Sequence, residues 1–332
     1  MKRKILISVL ILMLMVSLAG CSTNSLTEYK KAVEKTEQIK KGQTLGEFSV
    51  MMDFNTAGMT AEQIRELNYF KDMKGSFSAT YDDDSQKGIF RKYFNFGGLG
   101  FDFELFINED EVFMKLPVIG KYMKIDEPQT SLNKEQKTNG KQAFISQETP
   151  DELSTVWLGL LTEEDVFKGR NIVITTPDGE VKSKEYTIKL SAEQIRSLAE
   201  EGIDILAKDI ELAKSYENYI QKNVEDLRDK SLVDLLTDIK ESMKDYTLEN
   251  FMYTAYVDID GYIVNETVNF TLKVENPEQA GLAGMNYRMD TRNWGINKEQ
   301  QFDFPVLTEE NTFDTDELDG SMPEMIEDLF NH

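Results

Sequence analysis

The sequence predicts an α+β fold in which a strongly curved antiparallel sheet of about 10–11 strands, an open half-barrel, wraps over central helices. Short segments of alternating apolar and polar residues recur along the chain, joined by turn-like links such as Asp260-Gly261. This spacing is typical of antiparallel hairpins. Helical patterns are grouped in the middle of the chain, and one carries a long apolar stripe that needs an apolar surface to pack against.

The first 25 residues predict a secretory leader and a short tether. Three basic residues at positions 2–4 precede an apolar run, Ile5–Val16, that is interrupted only by Ser8. A run of about 12 residues is shorter than the about 20 that span a membrane, and small residues follow it, as in a signal peptide. Leu18-Ala19-Gly20-Cys21 resembles the lipobox of bacterial lipoproteins. The resemblance implies that residues 1–20 are removed and that Cys21 carries a diacylglyceryl group. This lipid would attach the protein to the membrane.

Lipidation would place the domain on the extracytoplasmic face of the cell membrane, with residues 21–25 as lipidated cysteine and tether. Two alternatives stay open: an uncleaved transmembrane anchor and a secreted chain with unmodified Cys21. The formal net charge of −23 excludes nucleic-acid binding through a basic surface and opposes peripheral binding to anionic lipids. Cys21 is the only cysteine, so the chain forms no intramolecular disulfide.

The elements of the N-terminal half follow from apolar periodicity. A helix is predicted from Leu26 to Lys40 and a short one from Ala61 to Phe70. Strands are predicted at 48–54, 77–81, 89–96, 101–107, 112–116 and 122–125. Residues 127–150 are polar and predict an exposed excursion, and residues 151–161 predict an apolar helix.

In the C-terminal half, strands are predicted at 171–176 and 181–190. Ser191 and Gln194 then fit a capping box that opens one helix with an apolar stripe of about 33 residues. A second helix begins at Ser231, and strands follow at 251–259, 262–274 and 285–294. The folded domain is predicted over residues 26–298. Residues 299–332, with eleven acidic residues and no Lys or Arg, predict an extended acidic tail.

This architecture, together with the strand segments Lys74–Tyr81 and Gly120–Asp126, resembles the LolA/LppX/LprG-like superfamily of lipoprotein and lipid carriers. The resemblance covers residues 26–295. It implies a LolA-like fold and an acylated or otherwise apolar ligand held between the sheet and the helices. No functional residue of the family maps onto this chain, and residues 127–150 and the acidic tail depart from its pattern.

The chain lacks the residues of several common catalytic sites. The only histidine is the last residue, His332, and the only cysteine is Cys21 in the leader. His-based triads, Cys nucleophiles and His or Cys zinc sites are therefore excluded. We therefore expect no enzyme activity, no metal and no cofactor. A hydrolase that uses two carboxylates remains an alternative. The acidic runs 82–84 and 314–320 predict solvated turns rather than calcium sites.

Two hairpin tips are unusually apolar, which suggests a surface that something covers. They are Phe94–Phe101 and Leu116–Gly120. The candidate ligand-binding residues are Phe94, Phe96, Leu99, Phe101, Val118, Ile119 and Trp157, with Met51, Met52, Met59 and Met73 as an adaptable lining. Packing of the tips against the central helices is the alternative. The predicted function is binding of a lipid or other apolar ligand. Docking of a basic envelope partner through the acidic surface or tail is the second hypothesis.

Overall fold

The computed structural model describes residues 24–109, 111–115, 120–124, 146, 148–217, 221, 227–275 and 281–313. Within these residues, the α-helices are α1 (Ser25–Glu37), α2 (Ala61–Phe70), α3 (Glu148–Leu160), α4 (Ala192–Leu206), α5 (Ile210–Tyr216) and α6 (Leu232–Ser242). The strands are β1 (Lys41–Phe54), β2 (Asp72–Asp82), β3 (Lys87–Phe96), β4 (Leu99–Asn108), β5 (Glu111–Lys115), β6 (Tyr122–Lys124), β7 (Val166–Thr176), β8 (Gly179–Ile188), β9 (Tyr246–Asp258), β10 (Ile263–Val274), β11 (Leu282–Trp294) and β12 (Thr312–Phe313).

These strands form one sheet in the order β12-β6-β5-β4-β3-β2-β1-β11-β10-β9-β8-β7. Neighbours are antiparallel except for the short β12, which runs parallel to β6. In the described part of the chain, β7 and β12 are its two open edges, so the sheet is not closed. Asp178, in the β7–β8 turn, accepts a 3.0 Å hydrogen bond from the backbone N–H of Gly295, just after β11. Three strands separate β7 from β11, so this contact reflects strong curvature, and the predicted fold class is confirmed.

Strand β1 is longer than predicted because it begins at Lys41, before the alternating pattern that starts at Phe48. Two glycines, Gly42 and Gly46, interrupt the apolar alternation in the added part. The Phe77 ring of β2 lies over Gly46, where a Cβ atom would come within 2.2 Å of the ring. Gly46 therefore allows a close approach between the two strands, and its lack of a side chain hides the strand from pattern analysis.

One row of directly paired residues defines the two faces of the sheet, because partners in antiparallel strands project to the same side. The row is Phe101, Phe94, Gly75, Phe48, Met289, Val268, Tyr253, Ile188 and Val166. Helices α1 and α3 pack on the side to which this row points. We call that side the inner face and the opposite side the outer face.

The main core lies on the inner face of β7–β10, which we call the covered half. There Tyr29 and Ala32 of α1, together with Leu161 just after α3, pack against Ile188 and Ala255. Trp157 of α3 also contacts this core and donates a 2.9 Å hydrogen bond from Nε1 to the Tyr29 hydroxyl. The two helices thus bury one end of the apolar row.

A second, smaller core lies on the outer face. Ile89, Phe106 and Phe113 are buried there, and Phe302 and Phe304 pack against them. The last two belong to the stretch predicted as an acidic tail. The chain therefore continues to contact the sheet beyond residue 298, the predicted limit of the domain, as far as Phe313. Residues 314–332 lie outside the described residues.

The helix predicted as one element from Ser191 is divided, so that prediction is wrong. Helix α4 ends at Leu206, and Asp209 begins α5 as its N-cap by accepting a 2.9 Å hydrogen bond from the Leu212 N–H. The same carboxylate accepts hydrogen bonds from the Ser146 N–H (2.8 Å) and the Thr149 hydroxyl (2.5 Å). The buried Asp209 carboxylate therefore caps α5 and also binds the start of α3. It interrupts the helix at a point where the apolar stripe in the sequence continues.

Candidate functional site

The inner face of β1–β4, which we call the open half, carries a cluster of phenylalanine rings. Phe48 and Phe94 make an edge-to-face contact with centroids 5.8 Å apart, and Phe94 contacts Phe103 in the same manner at 6.3 Å. Phe96 and Phe101 are stacked at 5.4 Å. These side chains come from three different strands, and the alternating pattern of each strand brings them to one side. The structure thus joins three predicted residues, Phe94, Phe96 and Phe101, in one cluster.

The open half keeps more of its apolar surface accessible than the covered half. Ile188 is 0% exposed and Val166 is 4% exposed in the covered half. In the open half, Phe103 is 37% exposed and Leu99 is 50% exposed. Phe94, Phe96 and Phe101 lie between these extremes. Among the described residues, the open half therefore offers an accessible apolar surface of the kind that binds partners or ligands.

Helix α2 borders this surface at the β3–β4 hairpin tip. Phe70 stacks on Phe96 with centroids 6.4 Å apart. A Cβ atom on Gly97 would come within 2.4 Å of the Tyr69 ring, so the tip and α2 are in close contact. Gly97 and Gly98 both have positive φ, which only glycine adopts without strain. The tip is thus held by packing on one side and remains open at Leu99.

Strand β11 lies between the open half and β10, the first strand of the covered half, and continues the apolar surface. Phe270 and Tyr287 are stacked with centroids 4.9 Å apart, and the Tyr287 hydroxyl donates to the Met289 sulfur at 3.2 Å. Met52 pairs with Met285 on the same face, so flexible thioether side chains line the middle of the sheet. Of the predicted methionines, Met52 and Met73 share the inner face, whereas the register places Met51 on the outer face.

Trp157 is separated from the phenylalanine cluster. Its ring contacts Tyr253 at 5.5 Å and Phe251 at 6.5 Å within the covered half. Tyr253 donates a 2.6 Å hydrogen bond to Glu266, and burial raises the pKa of the Glu266 carboxyl above its usual range. Trp157 therefore belongs, through its hydrogen bond to Tyr29, to the group of buried polar side chains that includes Tyr253 and Glu266. Val118, Ile119 and the lipidation residue Cys21 lie outside the described residues.

Sequence reasoning did not select Phe48, Phe103 or Tyr287 as candidates. Their signal was present as strand alternation, but alternation within one strand does not say which strands become neighbours. Apart from Trp157, the candidates lie at apolar hairpin tips, and the cluster extends from the β3–β4 tip down the strands.

Two grooves of the described chain lie away from the phenylalanine cluster. A groove of about 750 Å³ runs between α1 and the ends of β7–β9, lined by Lys31, Lys182, Lys184 and Val257. Within it, Glu28 accepts hydrogen bonds from Lys168 at 3.0 Å and from the Tyr186 hydroxyl. A groove of about 310 Å³ on the outer face contains Arg91, Glu104 and Lys115, which form ion pairs. In the second groove the three charges pair with one another, and in the first Glu28 pairs with Lys168 and Lys184.

The described residues contain no group of three or more His, Cys, Asp or Glu side chains placed to hold a metal ion. At the acidic run 82–84, the Asp82 carboxylate accepts hydrogen bonds from the backbone N–H groups of Asp84 (3.1 Å) and Ser85 (3.2 Å). This is a capped turn, as predicted. Of the helices in the described ranges, none is both long and apolar enough to cross a membrane.

Comparison with known proteins gives distant structural likeness. No family model matches the chain, and no curated protein matches it. A LolA superfamily protein from Nitrosomonas europaea is similar over 86% of this chain and 96% of its own, with 7% identity and a TM-score of 0.21. A beta-barrel-like protein from Brucella abortus, from a domain family of unknown function, is similar over 77% of this chain and 99% of its own, with 9% identity and a TM-score of 0.20.

These likenesses concern the fold alone.

Proposed function

We propose that this protein is a non-enzymatic lipoprotein, anchored to the extracytoplasmic face of the cell membrane through Cys21, that binds a lipid or another apolar ligand. The ligand lies on the open half, against Phe94, Phe96, Phe101 and Leu99. One observation carries the binding proposal: a row of mostly apolar side chains crosses nine strands of the sheet, from β4 to β7, and among the described residues the helices bury the β7 end of it.

The physical argument is a comparison of burial. Side chains of the same face form a buried core in the covered half, where α1 and α3 supply the opposing surface. Each buried Å² of apolar surface stabilises a contact by about 25 cal/mol, so a bound acyl chain on the open half would gain what the helices gain at the other end. Aromatic rings in edge-to-face contact provide a firm platform, and the methionines of β1 and β11 can adapt to the ligand.

Native mass spectrometry of the purified protein tests both parts of the proposal. We expect one or more copurifying lipids that dissociate from the protein, and a covalent diacylglyceryl mass on Cys21. A fluorescent fatty-acid probe then measures uptake by protein from which the lipid has been extracted.

The matched variants are Phe96→Asp on the inner face and Met51→Asp on the outer face of β1, where Met51 is 51% exposed. We expect Phe96→Asp to weaken probe binding about tenfold or more, since a charge replaces apolar contact area, and Met51→Asp to change it less than about twofold. Unfolding curves establish that both variants fold. Absence of lipid together with absence of probe uptake in the parent protein would overturn the binding proposal.

A further inference from the structure

The inner face of β1–β6 carries one charged side chain among the residues that the structure describes, Lys92 of β3. Its direct partners are Phe77 on β2 and Phe103 on β4. The other large side chains on this face of β1–β6 are aliphatic, aromatic or thioether groups without a charge, among them Val50, Tyr81, Leu105 and Met114. The charged residues of these strands otherwise alternate onto the outer face.

Lys92 lies over the phenylalanine cluster. Its Nζ is 4.6 Å from the centroid of the Phe94 ring, a cation–π contact. Within the described ranges, no carboxylate forms an ion pair with it. The two neighbouring cations of the outer face differ in this respect, since Arg91 and Lys115 both bind Glu104, at 3.1 Å and 2.8 Å.

Glu266 is the nearest acid in the row of paired residues that contains Lys92, and it lies too far away to form an ion pair with Lys92. Glu266 is separated from Lys92 by Thr291, Gly46 and Phe77. Four strand spacings of about 4.8 Å separate these residues by about 19 Å along the sheet. Glu266 is also occupied, because Tyr253 donates a 2.6 Å hydrogen bond to it.

An apolar ligand that covered Lys92 would remove water from an ammonium group without replacing its hydrogen bonds, which opposes binding. A ligand with its own negative charge removes that difficulty, because a charge-assisted hydrogen bond to Nζ replaces the lost water. Along β3, Lys92, Phe94 and Phe96 project to the same side, so an acid group at Lys92 leaves about 13 Å of aromatic surface for an acyl chain.

We infer that the ligand of the open half is an anionic amphiphile whose carboxylate or phosphate group binds Lys92 Nζ while its apolar chain lies on Phe94, Phe96 and Phe101. This inference rests on the proposed function, and it adds the class of ligand. Lys92 acts as the residue that selects acids over neutral lipids of equal length.

The test compares a pyrene-labelled fatty acid with the matching pyrene-labelled alcohol, by fluorescence titration of lipid-extracted protein. We expect the parent protein to bind the acid about tenfold more tightly, which is the effect of one charge-assisted hydrogen bond. Lys92→Met should reduce that preference to less than about twofold while keeping affinity for the alcohol. Lys92→Arg should retain it.

Lys74→Met is the matched control, since Lys74 is an exposed lysine on the outer face of the neighbouring strand β2 and should leave the preference unchanged. Competition by dodecanoate or by dodecyl phosphate then ranks the two acid groups, and displacement by either supports the inference. Binding of acid and alcohol with equal affinity, or a preference that survives in Lys92→Met, overturns the inference alone. Failure of both probes to bind overturns the proposed function and the inference with it.

Discussion

The covered half and the open half of the inner face are built from the same pattern but end in different states. Phe94 and Ile188 lie in one row of paired residues, on strands that alternate in the same manner. Two helices pack over Ile188, which is fully buried, whereas Phe94 is half-buried. Alternation therefore determines which face is apolar, and the covering elements determine whether that face becomes a core or a binding surface.

The largest effect on the free energy of unfolding is expected when one apolar side chain in each half is replaced by alanine. Ile188→Ala should lower the free energy of unfolding by about 2–5 kcal/mol, because it leaves a cavity in a buried core. Phe103→Ala, with its ring already 37% exposed, should cost about 1–2 kcal/mol and should weaken binding of a fatty-acid probe. Urea unfolding and probe titration of both variants measure the contrast. Equal destabilisation by the two substitutions would show that the open half is an ordinary core.

A smaller effect is expected at the junction that supports the covered half. Burial opposes ionisation of Asp209, but hydrogen bonds from Thr149, the Leu212 N–H and Ser146 outweigh it and lower the pKa of the carboxyl to about 2. A folded-state pKa below the unfolded value contributes stability above about pH 4 that is lost as the pH falls toward 2. We expect Asp209→Asn to lower the free energy of unfolding by about 2 kcal/mol at neutral pH.

Urea unfolding between pH 5 and pH 2 gives the check on Asp209, with Asp151→Asn as a control at an exposed position of α3. The pH dependence of Asp209→Asn should be flatter than that of the parent protein, while the control should follow the parent. A parent protein with pH-independent stability in this range would contradict the assignment of Asp209 to the junction.

The smallest effect is expected from removal of residues 314–332. The described chain ends at Phe313, beside β6, and the aromatic contacts of Phe302 and Phe304 remain in the truncated protein. We expect unfolding free energy and probe binding to change by less than about 0.5 kcal/mol. Loss of a specific basic partner in a pull-down, with probe uptake absent from the full chain, would instead favour the interaction hypothesis.

Much of the fold was predictable because its signals are local. Turn residues such as Pro177-Asp178 and Asp260-Gly261 lie where hairpins form, and Ser191 and Gln194 make the predicted capping box. The break at Asp209 was missed because its carboxylate is held by Ser146 and Thr149, which are about 60 positions away in the chain. An apolar stripe can continue across such a break, so periodicity alone does not reveal it.

The site was predictable only in part for a related reason. Phe94 and Phe101 were selected from their hairpin tip, but Trp157 was selected as an apolar residue of a helix whose position on the sheet is set by tertiary packing. Lys92 drew no attention because a lysine in a strand is ordinary. Its position becomes informative only when the register of the neighbouring strands shows that every other large side chain on its face of β1–β6 is uncharged.

Helix α1 begins close to the proposed anchor. Asn24 caps the helix by accepting a 3.0 Å hydrogen bond from the Leu26 N–H, and its amide also donates to Glu163. With Cys21 lipidated as proposed, two residues link the acylated cysteine to a cap that is fixed to the body of the domain. The domain would then be held close to the bilayer surface. Lengthening the link should therefore change the rate of ligand exchange with the membrane and leave affinity in solution unchanged.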